Sequence, residues 1–386
     1  ECKPNTSQFS YRKLNPEFFV HLENLRVAVI NGNNNPIFWT MGQLHMLAFP
    51  PSPDSVNYRS TVITPIHIQR VDERKCNIAS GGFGDLSLIR VIYKLKDCDD
   101  RTISRRIIMK EEKASMLPNS QNSEEGIVEE SRINNELLVL KHFQLKDSSS
   151  QYVAKFYQAD EINKQSVGLN PRAILMEYYP HKSLDHFRMK QTGMSVNTML
   201  WFLIQTANGL RFLKNEGVYH LDIKGSNILV QTNYTLRLID FGESYLKNPH
   251  PKLNLSSAYE QQFKPGRTLP YASPEIVSRR FKANKLHERT DIFSFGMMMG
   301  ELLFENFLIN FKKSNLPYLN TKYQNLSYKT NFSEEEAQSM GPKKLFKYLR
   351  SITMLCLHPD PNERPTHEWL VIMLKEALCF LDKLYQ

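Results

Sequence analysis

The chain contains no run of about 18 uninterrupted apolar residues, so no membrane span is expected. Its most apolar stretches, 199–213 and 295–311, are interrupted by Gln205, Asn208, Glu301 and Glu305 and read as helices buried in a globular core. Cysteine is sparse: five residues, at 2, 76, 98, 356 and 379, with no CxxC pair. An odd, scattered set argues against a disulfide framework or a zinc site. It favours a reducing, intracellular setting, cytoplasmic or nuclear. No basic segment leads into an apolar one near the N-terminus, so no signal peptide is expected. No internal repeat is found, which excludes a solenoid. Long blocks of like charge are also missing. The net charge of +9 therefore reads as a solvated basic surface, and no nucleic-acid footprint is evident.

What is present is ordinary globular composition, 41% hydrophobic and 23% charged over 386 residues, enough for one large core or two associated ones. Residues 1–65 are irregular, with Pro- and Asn-rich punctuation around an apolar run at 25–30, and read as an N-terminal extension that packs on something larger. Residues 66–179 favour strands, notably 86–93 and 107–110. A helix is expected over 125–143, with Ile133, Leu137, Leu140 and Phe143 as its apolar stripe. Residues 180–386 are mostly helical, with helices expected over 198–215, 291–307 and 367–384. Polar inserts at 115–125 and 315–333 read as surface loops. A strand-rich part followed by a helix-rich part is an α+β arrangement with a cleft between them.

Four segments carry chemistry. Ala79-Ser80-Gly81-Gly82-Phe83-Gly84-Asp85-Leu86 has the glycines that let a backbone approach an anionic ligand, although a hairpin turn needs them equally. Lys110 ends an apolar strand, where its ammonium must find a partner or snorkel to solvent; Glu136 is the obvious partner. His220-Leu221-Asp222-Ile223-Lys224-Gly225-Ser226-Asn227 puts a carboxylate, a cation and a carboxamide within six residues. Asp222 could accept a proton, Lys224 could neutralise a phosphate, and Asn227 could hold a metal. Asp240-Phe241-Gly242 places a carboxylate at the end of an apolar run, which suits a hard cation.

Taken together and in this order, these residues resemble the signature set of the serine/threonine protein kinases. Ser273-Pro274-Glu275 resembles the end of that family's activation segment. Asp291-Ile292-Phe293-Ser294-Phe295-Gly296 resembles its D-x-W-S-x-G helix start, and Arg364 resembles the arginine that pairs with Glu275. The resemblance covers about residues 66–381. It implies a bilobal α+β fold, with a small β-rich N-lobe and a larger helical C-lobe. It also implies ATP and Mg²⁺ as nucleotide and metal, and protein Ser/Thr hydroxyls as acceptors.

Roles follow from the resemblance residue by residue. Ala79 to Gly84 and Leu86 would cover the phosphates and the nucleotide. Lys110, oriented by Glu136, would hold the α- and β-phosphates. Asn227 and Asp240 would bind magnesium, Asp222 would take the hydroxyl proton, and Lys224 would steady the γ-phosphate. Met176 stands at the gatekeeper position before hinge residues Glu177, Tyr178 and Tyr179, and Leu229 would lie under adenine. Lys224 and Thr268 match the serine/threonine branch.

The chain departs from the pattern in places. Ala79 replaces a glycine, and Ile108 replaces the alanine over adenine. Gly84 and Lys110 stand 26 positions apart, longer than usual, with a polar hairpin at 96–106, so Lys113 remains an alternative to Lys110. Glu129 and Glu130 remain alternatives to Glu136. Leu221 replaces the arginine that normally meets a phosphorylated activation-loop residue, so activity is expected not to require phosphate on Ser256, Ser257 or Tyr259. Two other readings stay open: a pseudokinase scaffold without turnover, and a small-molecule phosphotransferase of similar fold.

Overall fold

The computed structural model describes residues 26–30, 36–40, 63–70, 77–81, 84–95, 102–111, 124–146, 151–157, 173–190, 194–255, 259, 263, 266, 268–278, 283, 286–304 and 342–384. Strands β1 (Arg26–Ile30) and β2 (Pro36–Thr40) form an antiparallel hairpin of their own. The apolar run at 25–30 is thus largely strand.

Strands β3 (Ile63–Arg70), β4 (Asn77–Gly81), β5 (Gly84–Leu95) and β6 (Thr102–Glu111) are followed by helix α1 (Glu124–Leu145), then by β7 (Phe156–Tyr157) and β8 (Ile174–Glu177). These six strands make one sheet in the order β3-β5-β6-β8-β7, with β4 also paired to β5. The β5–β6 ladder runs unbroken from Asp85↔Glu111 to Lys94↔Thr102, so the polar segment expected as a hairpin at 96–106 is already strand from Thr102. Pro65 sits where the β3 register shifts, as expected of a residue with no N–H to give a ladder.

Helix α1 buries two of the four residues of the expected stripe and adds others, and the side chain of Ile133 lies outside the described residues. Glu136, Val139, Leu140 and Phe143 are buried and Leu137 only half so. A carboxylate takes an inward position because a lysine meets it there. The insert at 115–125 gives its last two residues to this helix; the insert at 315–333 lies outside the described residues.

The second part is helical: α2 (Leu184–Lys190), α3 (Val196–Glu216), α4 (Pro274–Val277), α5 (Thr290–Leu303), α6 (Pro342–Cys356) and α7 (His367–Leu384). Among them lie two short hairpins, β10 (Ile228–Val230) with β11 (Leu236–Leu238), and β9 (Val218–Tyr219) with β12 (Tyr245–Leu246). Helix α3 starts where the Ser195 hydroxyl accepts the Thr198 N–H at 3.2 Å, and stops at Gly217, whose φ of 73° suits a residue without a side chain. Helix α5 is buried on nearly every side. It ends at Leu303, short of the expected 307 and 311, because Phe304 turns extended and packs its ring on the core. A methyl at Gly296 would stand 2.6 Å from Cys356, so that glycine permits the close approach of α5 and α6.

A contiguous apolar cluster joins the two parts. It runs from Ile108, Ile174 and Met176 of the sheet through Val139, Leu140 and Phe143 of α1 into α3, α5, α6 and α7. The molecule is a bilobal α+β fold. No helix among the described residues is long and apolar enough to cross a membrane.

Between α6 and α7 lies a buried acid. The Tyr348 hydroxyl donates to Glu376 Oε2 at 2.7 Å, while the other oxygen has no partner among the described residues. Burial pushes this carboxyl up to about 7 from an ordinary 4.5. The folded state therefore holds the proton over a pH range in which the unfolded chain has lost it. The acid's contribution to stability is full below about pH 4.5 and is lost as pH rises through about 7, a difference of about 3 kcal/mol. Thermal melts of the parent and of Glu376→Gln from pH 5 to pH 8 should show the parent losing stability relative to the variant. A gap that stays constant would contradict this assignment.

Candidate active site

Successive residues of a strand face opposite sides, so Ile108 and Lys110 of β6 share one face. Their partners on β8 are Met176 and Ile174. Lys110 is buried, and its Nζ lies 2.6 Å from Glu136 Oε2 on α1 and 2.9 Å from Asp240 Oδ1 after β11. Burial alone would lower the Lys110 pKa, but the two carboxylates outweigh it and hold the ammonium above its ordinary value. Burial alone would likewise raise the Asp240 carboxyl, and Lys110 holds it below its usual value. Lys113 lies outside the described residues, as do the side chains of Glu129 and Glu130.

The loop after β9 is suspended from α5. Asp291, buried in the first turn of that helix, accepts the His220 N–H at 2.7 Å and the Leu221 N–H at 2.8 Å. Leu221 is left-handed, at φ 64°, a conformation costing about 1–2 kcal/mol for a residue with a side chain. This turn orients Asp222. Its Oδ2 accepts from Lys224 Nζ at 2.7 Å and from Asn227 Nδ2 at 2.8 Å. Its Oδ1 is buried and has no partner among the described residues. Buried acceptors are normally satisfied, so this atom points to a donor supplied from outside. Lys224 Nζ also donates to Thr268 Oγ1 at 3.0 Å, joining the loop to the segment before α4. A methyl on Gly225 would stand 2.0 Å from Asp185 Oδ1, so a larger residue there would have to displace that carboxylate.

The β10–β11 hairpin sets Asn227 beside Asp240, with the Ile239 N–H donating to the Asn227 carbonyl at 3.0 Å. Asp240 is also left-handed, at φ 66°. Phe241 behind it is buried against His220 and Phe143, with ring centroids 4.9 and 5.5 Å away. The Asn227 amide nitrogen is spent on Asp222, donating to its carboxylate and, at 2.9 Å, to its carbonyl. Its oxygen is therefore the atom left for a cation. One carboxylate and one carboxamide suit Mg²⁺, which keeps several waters and takes phosphate oxygens as further ligands. No three-residue cluster of His, Cys, Asp or Glu offers a competing metal site among the described residues.

The other residues expected to hold the nucleotide, where described, lie on β4, β5, β8, β10 and the segment after β8. The β4–β5 hairpin, containing Ala79, Ser80, Gly81 and Gly84, closes with Gly81 opposite Gly84; Gly82 and Phe83 lie outside the described residues. Leu86 is opposite Lys110 in the next strand. Leu229 bridges to Ser183, just past the hinge. Hinge Tyr179 is buried, its hydroxyl donating to the Glu177 carboxylate at 3.0 Å and accepting the Lys155 N–H at 3.2 Å. Arg364 is fully buried and grips Glu275 with two bonds of 2.6 and 2.8 Å, while Phe293 stacks against its guanidinium.

Three contributors had no signal in the sequence. Asn135 and His142 of α1 bind the backbone of residues 241–250, and the Glu243 carboxylate accepts the Gly266 N–H. An amide or imidazole on a helix declares nothing until the loop it meets is folded.

A family model described as the protein kinase domain matches residues 94–375. The serine/threonine-protein kinase BIK1 of Arabidopsis thaliana is 30% identical over 233 residues, which is 55% of this chain and 54% of that protein. A receptor-like protein kinase of the same plant is 27% identical over 282 residues, 66% of this chain and 29% of the relative. The chain thus spans about half the length of the first of these relatives and under a third of the second.

Removing one partner of the Arg364–Glu275 pair leaves a buried charge alone. Glu275→Ala should cost about 3–5 kcal/mol in denaturant unfolding. A loss below about 1 kcal/mol would place this pair among the weak surface bridges instead.

Proposed function

The chain belongs to the protein kinase family, and from that premise we propose that it is an active serine/threonine kinase carrying the γ-phosphate of ATP to protein hydroxyls. The observation that supports this most is the pairing of Lys110 with Asp240 and of Asp222 with Asn227, the two pairs joined by the Ile239–Asn227 backbone bond, with an unpartnered Asp222 oxygen among the described residues. Asp222 Oδ1 would accept the proton of a Ser or Thr hydroxyl as that oxygen attacks phosphorus. Lys224 would screen the charge gathering on the γ-phosphate, and its bond to Thr268 would bring the acceptor segment up to Asp222. Lys110 would hold the α- and β-phosphates. Glycines of the β4–β5 hairpin would cover them, and Leu86, Ile108, Met176 and Leu229 would enclose the adenine, with hinge residues 177–179 along its edge. Asp240 and Asn227 would hold magnesium, which when bound neutralises the phosphate oxygens.

Activity without loop phosphorylation belongs to the same reading. Leu221 packs with Tyr219, Tyr245, Ala272, Ile276, Ala283 and Leu286 in a separate apolar cluster that Tyr259 and Phe263 cover. The Tyr259 ring lies parallel to Tyr245 at 5.7 Å, and its hydroxyl accepts the Leu246 N–H at 3.2 Å. Ser256 and Ser257 lie outside the described residues. An apolar contact here holds the segment without a phosphate.

Transfer of radiolabelled γ-phosphate to a generic basic protein tests the main claim. Asp222→Asn should lower kcat by about a thousandfold or more while leaving ATP affinity within about threefold. Absence of transfer by the parent, with ATP still bound, would instead make the chain a scaffold. Phosphatase-treated enzyme should keep at least half its activity. Loss of activity on that treatment, restored by rephosphorylating the loop, would refute the phosphate-free anchor.

A further inference from the structure

Asn135 stands next to Glu136 on α1 and reaches the backbone that follows Asp240. Its Nδ2 lies 2.7 Å from the Ser244 carbonyl, 3.0 Å from Gly242 and 3.3 Å from Phe241. Three carbonyl oxygens converge on it, so the amide presents its NH₂ group; its oxygen in that place would meet only acceptors. Two hydrogens serve the two nearer carbonyls, and the third oxygen shares one of them.

The location gives these bonds their meaning. Asp240 is left-handed, a state an aspartate keeps only when its surroundings over-determine it. Lys110 holds its carboxylate, and His220 Nε2 donates to the Ile239 carbonyl just before it at 3.0 Å. Asn135 holds the chain just after it. Helix α1 therefore acts on both ends of this aspartate through adjacent residues, Glu136 by way of Lys110 and Asn135 by way of the backbone.

We infer that Asn135 is a positioning residue: by fixing the carbonyls of residues 241–244 it keeps Asp240 turned to receive the metal, and it ties that orientation to the seating of α1. The inference rests on the reading of Asp240 as a metal ligand. A neighbouring tie serves the same helix. His142 Nδ1 accepts the His250 N–H at 3.1 Å, and its Nε2 donates to the Glu216 carbonyl at 3.1 Å. That bond holds the helix's far end to the same stretch of chain, so Asn135 need supply only the local orientation at Asp240.

The test compares affinities in the full chain. ATP with magnesium, ATP with chelator and adenosine alone are titrated against the parent, Asn135→Ala and Asn135→Asp. Asn135→Ala should lose tenfold or more of the affinity that magnesium adds, with adenosine binding within twofold of the parent. Asn135→Asp keeps the shape but faces three carbonyls with a carboxylate, so it should lose more. Asn135→Ala, which only removes atoms, keeps the test decisive should Asn135→Asp fail to fold. A magnesium gain within twofold of the parent, or an equal loss of adenosine affinity, overturns the role of Asn135. A parent that gains nothing from magnesium and transfers no phosphate overturns the metal reading beneath it, and this inference with it.

Discussion

A buried ammonium held between two carboxylates sets the geometry of this molecule. Lys110 comes from the sheet, Glu136 from α1 and Asp240 from the strand-end of the helical lobe. Removing three charges from water costs several kcal/mol for each, and short, well-aligned contacts must offset it. That demand turns a chemical cluster into a mechanical one. Displace α1 or twist the lobes apart, and a charge is left buried without its partner. The three groups thus report whether the sheet, α1 and the turn after β11 stand in register.

The helical lobe repeats the device with different partners. Asp291 at the start of α5 takes two backbone N–H groups of the loop that bears Asp222, and Arg364 takes the carboxylate of Glu275 and three neighbouring carbonyls. The strain of left-handed Leu221 and Asp240 is balanced by bonds made within one or two residues of each. The Leu221 turn hangs from buried α5 through Asp291, whereas the Asp240 turn is held by Lys110 of the sheet and Asn135 of α1.

The groups proposed to do the chemistry were the easiest to name from the sequence alone. Phosphate, metal and proton each demand a particular residue type, and short loops keep those types close together in sequence. The long interval between Gly84 and Lys110 made the lysine ambiguous, and the structure supplies the reason. Strands β5 and β6 run to 12 and 10 residues, so the additional length extends the hairpin away from the cleft and leaves the lysine's register unchanged. Less legible was whatever depends on a distant partner. Glu136 was placed on α1, yet the stripe expected there was purely apolar. The end of α5 was overrun because Phe304 continues the hydrophobic pattern after the helix has stopped. Helix α6 was legible but passed over: Leu345, Tyr348, Leu349, Ile352 and Cys356 recur at helical spacing, and all five are buried.

The apolar cluster around Leu221 poses a question of switching more than of strength. A charge-assisted hydrogen bond contributes about 1.5–3 kcal/mol, and burial of one large apolar side chain contributes about as much. Leucine packed under Tyr245, Tyr259 and Phe263 can therefore hold the segment as firmly as an arginine gripping a phosphate. The two anchors differ in what releases them. A phosphate–arginine anchor exists only after a second enzyme has acted and weakens with salt. An aromatic stack forms with the fold itself and responds little to ionic strength.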